Sequence, residues 1–186
     1  MNWRVIYKQF EEGNQIKGIT LEYLMGYDTV ASPLYRVVET VGNYQFEMLR
    51  LQSSKRKITV SDDLGLIGFN SLDLSDNYCY LTEGVSDFMS KKLMLKAQNS
   101  QHQNVLGIVT LGGNSTAKKI LSSLFDNYEY CADNDITGIN QAKLTRSWLL
   151  SLGKSVKVTL PEAGCKDVSE QYCKLVGYGL RNIKQG

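Results

Sequence analysis

The sequence lacks several features on which common classes of protein depend. Its one histidine, His102, lies in the polar stretch QNSQHQN, so catalysis by a serine–histidine or cysteine–histidine pair lacks its base. Its four cysteines form no C-x-x-C pair, which argues against a zinc ribbon, and we expect them to pack as small hydrophobic residues. Its two prolines provide no polyproline linker.

Long hydrophobic runs and a dominant charge are also missing. No stretch approaches the roughly 18 apolar residues that a membrane span needs, and the N-terminus lacks the apolar core of a signal peptide. We therefore expect a cytoplasmic protein with no membrane partner. The net charge is +2 over 186 residues, so a polyanionic partner would have to be bound by a local basic patch.

The stretch from Gly107 to Gly112 has the outer spacing of a phosphate-binding P-loop, but Gly113 stands where that loop requires lysine. This argues against ATPase or helicase activity. Gly112 and Gly113 could still cradle a phosphate at the start of the next helix, or could simply form a tight turn.

The C-terminal part of the chain alternates between strand-like and helix-like patterns. Short apolar runs and residues with helical periodicity predict β-α-β-α-β-α-β-α, with strands at 78–82, 105–111, 128–132 and 155–160 and helices at 85–97, 115–125, 136–152 and 167–176. Such alternation indicates an α/β fold, a parallel four-stranded sheet flanked by helices. The segments PLYRVVET, YQFEMLRLQ and KITV before it are strand-like. We therefore predict a smaller β-rich subdomain at 1–77 and an α/β domain at 78–186.

Carboxylates follow two of the predicted parallel strands directly. Asp133 and Asp135 come after the strand at 128–132, and Glu83 follows the strand at 78–82. Ligands of open parallel sheets bind at the carboxyl ends of the strands, so the three side chains should lie on one rim. A carboxylate cluster of this kind either shares a proton or binds a hard cation, and a rim position favours Mg²⁺. Alternatively, Asp135 simply caps the following helix.

Four segments in this order strengthen the cation interpretation: YLTEGVSDFMS (80–90), VTLGGNST (109–116), YCADNDITGINQA (130–142) and VTLPEAGCKDVSEQY (158–172). Together they resemble the TOPRIM domain of primases, topoisomerase subunits and related nucleases over about residues 78–180. The resemblance implies that Glu83, Asp133 and Asp135 are catalytic residues that bind Mg²⁺ or Mn²⁺. Thr137 occupies the position at which many members carry a third aspartate.

The resemblance also implies residues that contact the nucleotide or the nucleic acid. Within the TOPRIM-like segments these are Gly84, Asp87, Gly112, Lys166 and Asp167. The segment RLQSSKRKITVSDDLGLIGFNSLD upstream resembles the basic basin of primases, including those of phages and mobile elements, and contributes Arg50, Lys55, Arg56 and Lys57. An exposed basic turn is the simpler alternative for this stretch.

We therefore predict a primase-like nucleotidyltransferase core that synthesises primers on single-stranded DNA from nucleoside triphosphates with a divalent metal. It would be a small protein or a fragment of a larger replication protein such as a primase-helicase, and a replicative helicase is a candidate partner. Two alternatives stay open: a TOPRIM nuclease that uses the same site to activate water, and a non-catalytic nucleic-acid-binding module.

Overall fold

A computed structural model describes residues 2–11, 15–24, 33–51, 57–111 and 115–177. Its first part consists of a helix and an antiparallel sheet. The elements are α1 (Asn2–Glu11), β1 (Ile19–Tyr23), β2 (Pro33–Val41), β3 (Tyr44–Leu51) and β4 (Lys57–Asp62). The four strands pair in chain order, and each is antiparallel to the next. The predicted β-rich region is therefore present, with α1 as an element that the sequence pattern did not predict.

The second part is the predicted α/β unit. Its elements are β5 (Leu66–Ile67), a 3-10 turn (Phe69–Ser71), β6 (Tyr78–Glu83), α2 (Gly84–Ala97), β7 (Val105–Ile108), α3 (Ser115–Ser123), β8 (Asn127–Cys131), α4 (Ile136–Ser151), β9 (Ser155–Thr159) and α5 (Val168–Leu175). The strand order is β5-β7-β6-β8-β9, in which β6 to β9 are parallel and β5 runs antiparallel to β7 at the edge. The predicted fold class is confirmed, and β5 adds a short fifth strand to the four that were predicted.

Two hydrophobic clusters cover the two faces of the parallel sheet. The first joins Tyr7 of α1 and Phe46 of β3 to Phe88 of α2 and Tyr172 of α5. The second packs α3 and α4 against the other face, where Tyr128 is fully buried. The antiparallel sheet and the parallel sheet thus share one core through α2. The predicted boundary between residues 77 and 78 stays a prediction.

The four cysteines are buried and reduced, as expected for small hydrophobic residues. Within the described ranges, no helix is both long enough and apolar enough to cross a membrane.

A buried carboxylate fastens the antiparallel sheet to the parallel one. Glu39 of β2 is fully buried, and its two oxygens accept hydrogen bonds from the backbone N–H groups of Gly68 at 2.6 Å and Asn70 at 2.8 Å. The side chain of Asn70 donates back to the carbonyl oxygen of Thr40 at 2.8 Å. Burial raises the pKa of Glu39, and the backbone hydrogen bonds oppose that rise.

Candidate active site

Glu83 is the last residue of β6, and the chain turns there into α2. The turn depends on Gly84, whose φ of 81° lies in the left-handed region that favours glycine. An oxygen of the Glu83 carboxylate accepts hydrogen bonds from the hydroxyl group of Tyr130 and the backbone N–H of Asp133, each at 3.4 Å. Burial raises the pKa of Glu83, and the charge of Asp135 adds to the rise. The glutamate and the loop after β8 are therefore neighbours, as the rim argument predicted.

Asp133 follows β8 and is partly buried. Burial, followed by the charges of Asp87 and Glu83, raises its pKa to about 7. Gly138 in the first turn of α4 lies against it, because a Cβ atom there would stand 2.6 Å from the Cβ of Asp133 and 2.7 Å from its carbonyl oxygen. The absence of a side chain at Gly138 thus allows α4 to begin directly over Asp133.

Glu83 and Asp133 line the same cavity, which has a volume of about 440 Å³. It lies at the carboxyl ends of β6, β7 and β8, and Thr110, Tyr130 and Gln141 also line it. This is the end of an open parallel sheet at which ligands bind. The cavity combines two carboxylates with raised pKa values and space for a ligand.

Asp135 is held differently from the other two carboxylates of the predicted trio. Its Oδ1 accepts a hydrogen bond from the backbone N–H of Gly138 at 2.9 Å, so the residue caps α4. Its Oδ2 lies 3.3 Å from the ammonium nitrogen of Lys166. The hydrogen bond from Gly138, followed by Lys166, lowers the pKa of Asp135. Asp135 therefore caps α4, and the cation beside this carboxylate is a lysine; its role as a metal ligand stays a prediction.

Asp87 and Asp167 position the start of α5. Asp87 is only 8% exposed, and its Oδ1 accepts hydrogen bonds from the backbone N–H and the hydroxyl group of Ser169 at 2.8 and 2.7 Å. Asp167 caps the helix by accepting a hydrogen bond from the N–H of Glu170 at 2.7 Å. Burial and then the charge of Asp167 raise the pKa of Asp87 to about 7. Nucleotide contact by either aspartate stays a prediction.

The residues of the predicted basic basin are described in part. Arg50 near the end of β3 is partly buried, and burial lowers its pKa. Lys57 begins β4, and its side chain lies outside the described part of the structure, as do Lys55, Arg56 and Gly112 altogether. Their nucleic-acid contacts stay predictions.

Sequence reasoning missed Gly138, Tyr130 and Gln141 as residues of the site. A glycine in the first turn of a predicted helix, three residues after Asp135, was an available signal for close packing. The sequence predicts Tyr130 within a buried strand, and the structure confirms this. The hydrogen bond from its hydroxyl group to Glu83 forms because β6 pairs beside β8, and no local pattern indicates that pairing.

The donor chemistry of the site fits a hard divalent cation, because carboxylate oxygens are its preferred ligands. Among the residues that the structure describes, no three histidine, cysteine or acidic side chains are grouped closely enough to form a complete metal site. Mg²⁺ rarely binds to a complete set of protein ligands, since it keeps several water ligands and is also coordinated by phosphate oxygens of the substrate. Glu83 and Asp133 could supply the protein ligands of a site of that kind, with Asp135 beside them.

Comparison with known proteins shows which solved structures have a similar fold. No protein-family model matches the sequence, and no curated protein sequence matches it significantly. Three solved structures are similar with TM-scores of 0.55 or 0.56. The Aquifex aeolicus primase, comprising its zinc-binding and RNA polymerase domains, is 18% identical with a TM-score of 0.56, over 95% of this chain and 47% of that one. The DnaG primase catalytic domain bound to single-stranded DNA is 13% identical with a TM-score of 0.55, over 77% and 49% of the two chains.

The E. coli primase catalytic core is 15% identical with a TM-score of 0.55, over 84% of this chain and 53% of that one. The chain thus spans about half the length of the primase structures it matches. It has an α/β fold of the class found in primase catalytic cores. The resemblance to a primase-type TOPRIM domain is confirmed at the level of the fold.

Proposed function

We propose that this chain is the core of a primase-like nucleotidyltransferase that depends on a divalent metal. The observation that carries the proposal is the cavity at the carboxyl edge of β6, β7 and β8, which Glu83 and Asp133 both line. The primase-type fold supports the same proposal, because this edge is the ligand-binding end of an open parallel sheet.

The raised pKa values of Glu83 and Asp133 support a cation at this site. Burial and the neighbouring carboxylates disfavour the charged forms of both groups, so a bound cation would offset that electrostatic cost. Glu83, Asp133 and Asp135 would hold Mg²⁺ or Mn²⁺. When bound, the metal would neutralise charge on the nucleotide's phosphates as the reaction proceeds.

In the proposed reaction, the 3′-hydroxyl oxygen of one nucleotide forms a bond to the α-phosphorus of the next. The bond from that phosphorus to the bridging oxygen breaks, and pyrophosphate leaves. Glu83 is the proposed acceptor of the hydroxyl proton, since the TOPRIM resemblance gives this residue an acid–base role. Tyr130 would orient Glu83 through the hydrogen bond from its hydroxyl group.

Single-stranded DNA is the proposed template, since one of the similar primase structures is bound to it. Basic residues of the predicted basin would hold it by charge. Because the chain spans about half of the similar primases, template selection would depend on further protein segments or on a partner such as a replicative helicase.

Primer synthesis tests the proposal. We expect the protein to join nucleoside triphosphates into primers on single-stranded DNA with Mg²⁺ or Mn²⁺. Asp133→Asn should reduce product formation by about 1000-fold, because an amide cannot replace the charge of a carboxylate ligand. Asp126→Asn is a matched control, because Asp126 is an exposed aspartate at the opposite end of β8, where it pairs with Lys154 at 2.9 Å.

The products separate this proposal from its alternatives. Extended oligonucleotides that require Asp133 would support primase chemistry, whereas shortened ones would indicate a TOPRIM nuclease. Nucleic-acid binding with no reaction and no metal dependence would indicate a non-catalytic module. Equal primer synthesis by the wild type and Asp133→Asn would end the assignment of this site.

A further inference from the structure

Lys166 is anchored beside the acidic rim by its own backbone. Its N–H donates to a carboxylate oxygen of Glu170 at 2.6 Å, and its carbonyl oxygen accepts a hydrogen bond from the N–H of Asn134 at 2.6 Å. The loop before α5 is therefore fastened directly to the loop that carries Asp133 and Asp135. This holds the backbone of Lys166 beside the loop of the two aspartates.

The ammonium group of Lys166 acts as the counter-ion of this rim. It lies 3.3 Å from Oδ2 of Asp135, the oxygen that does not cap α4. Its charge also lowers the pKa of Glu83 and of Asp133 against the larger effect of burial. One lysine thus offsets part of the repulsion among all three carboxylates of the proposed metal site.

The ion pair is exchangeable. The side chains of Lys166 and Asp135 are 59% and 41% exposed, and an ion pair in contact with water contributes at most about 1 kcal/mol. A divalent cation at Oδ2 of Asp135 would repel the ammonium group, and the weak ion pair offers little resistance to its release. The ammonium group can therefore leave Asp135 when a cation binds there, while the backbone of Lys166 keeps its hydrogen bonds.

We propose that Lys166 is a built-in counter-ion that holds Asp135 until a divalent cation binds, and that it then contacts a phosphate of the incoming nucleotide. The inference rests on the proposed function, because it assumes a cation at this rim. It makes the lysine a competitor of the metal in the free protein and a phosphate ligand in the complex. Once the ammonium group of Lys166 has left Asp135, the phosphate of a nucleotide bound at the same rim is the anionic acceptor next to it.

Calorimetric titration with Mn²⁺ alone tests the first half. Lys166→Met keeps the length of the side chain and removes the charge, and we expect it to bind Mn²⁺ about two- to fivefold more tightly than the wild type, in line with the small free energy of an exposed ion pair. Lys157→Met is a matched control, because Lys157 is 67% exposed and pairs with Glu129 at 3.4 Å. Its affinity for Mn²⁺ should equal that of the wild type.

Titration with a non-hydrolysable nucleoside triphosphate at saturating Mn²⁺ tests the second half. We expect Lys166→Met to bind it about tenfold more weakly, as befits the loss of a charge-assisted hydrogen bond. Equal or weaker Mn²⁺ binding by Lys166→Met would overturn the counter-ion role. Tighter Mn²⁺ binding with unchanged nucleotide affinity would support that role and overturn the transfer to phosphate. Absence of Mn²⁺ binding in both proteins would overturn the inference together with the proposed metal site.

Discussion

Glu39 and Asp133 are carboxylates withdrawn from water in two different regions, and their surroundings differ in kind. Glu39, at the junction of the two sheets, accepts hydrogen bonds from the backbone N–H groups of Gly68 and Asn70. At Asp133, on the rim of the parallel sheet, the strongest neighbouring influences are the charges of Asp87 and Glu83. The charged form of Glu39 is stabilised by backbone hydrogen bonds, whereas the charged form of Asp133 is disfavoured by its acidic neighbours. Asp133 also lines a cavity.

The difference separates a structural carboxylate from a candidate functional one. A buried acceptor with backbone donors stabilises the arrangement that supplies them. Clustered acidic groups with raised pKa values mark a site that gains free energy when a cation arrives. Changes at Glu39 should therefore affect stability without affecting metal binding, whereas changes at Asp133 should abolish metal binding and affect stability only through the titration of this group.

The largest expected change in stability follows Glu39→Gln. The amide turns one acceptor into a donor that faces backbone N–H groups, so a buried donor loses its partner and the free energy of unfolding falls by about 2 kcal/mol. Thermal denaturation should then show a melting temperature lower by about 4–8 °C. The control Glu22→Gln, at a carboxylate that is 45% exposed and paired with Arg36 at 3.0 Å, should shift it by less than about 2 °C. A similar loss in both variants would contradict the structural role of Glu39.

A pH dependence should arise from the rim. Asp87 and Asp133 titrate near pH 7 in the folded protein and near 3.8 when unfolded, so between these values the folded state binds more protons. The free energy of unfolding therefore falls as the pH rises from 5 to 7.5, and we expect the melting temperature to fall with it.

Mutation and metal should both reduce this slope. Asp133→Asn removes one of the two titrating carboxylates. In the wild type, Mn²⁺ at pH 7.5 favours the charged form of Asp133. The variant and the metal should therefore each restore part of the stability that is lost as the pH rises. A melting temperature that rises across this pH window in the metal-free wild type would contradict the assigned direction of the pKa shifts.

A smaller effect is expected from Gly138→Ala. The new Cβ would meet Asp133 at 2.6 Å, so α4 or the aspartate must shift. That strain outweighs the gain of about 0.5–1 kcal/mol that alanine brings to a helix, and we expect a net loss of about 1 kcal/mol in chemical denaturation. Ser147→Ala, at an exposed position of α4, should be neutral or slightly stabilising. Stabilisation by Gly138→Ala would show that the close approach is not required.

Much of the fold follows from local patterns. The buried strands and amphipathic helices after residue 77 were predicted close to their observed bounds, since apolar runs and a capping residue such as Asp135 mark them directly. The strand predicted to reach Leu111 ends at Ile108 because the N–H groups of Val109 and Thr110 donate instead to the carbonyl oxygen of Gly65. The two-residue strand β5 has too little sequence to carry a periodic signal.

The site was predictable in position and only partly in detail. Strand order places Glu83 and Asp133 on one rim, and the sequence indicated that rim. The pairing of Lys166 with Asp135 depends on how two loops meet through Asn134, which no local pattern encodes. Sequence reasoning accordingly assigned the positive charge beside Asp135 to a metal ion and did not anticipate the lysine.

Calorimetric titration with Mn²⁺ in the presence of a nucleoside triphosphate tests the central claim most directly. Comparison of the wild type with Asp133→Asn and Glu39→Gln, at a temperature at which all three are folded, separates the two regions. We predict Mn²⁺ binding by the wild type and by Glu39→Gln, and its loss in Asp133→Asn. Unchanged binding by Asp133→Asn, or no binding by the folded wild type, would contradict the assignment of the rim as a metal site.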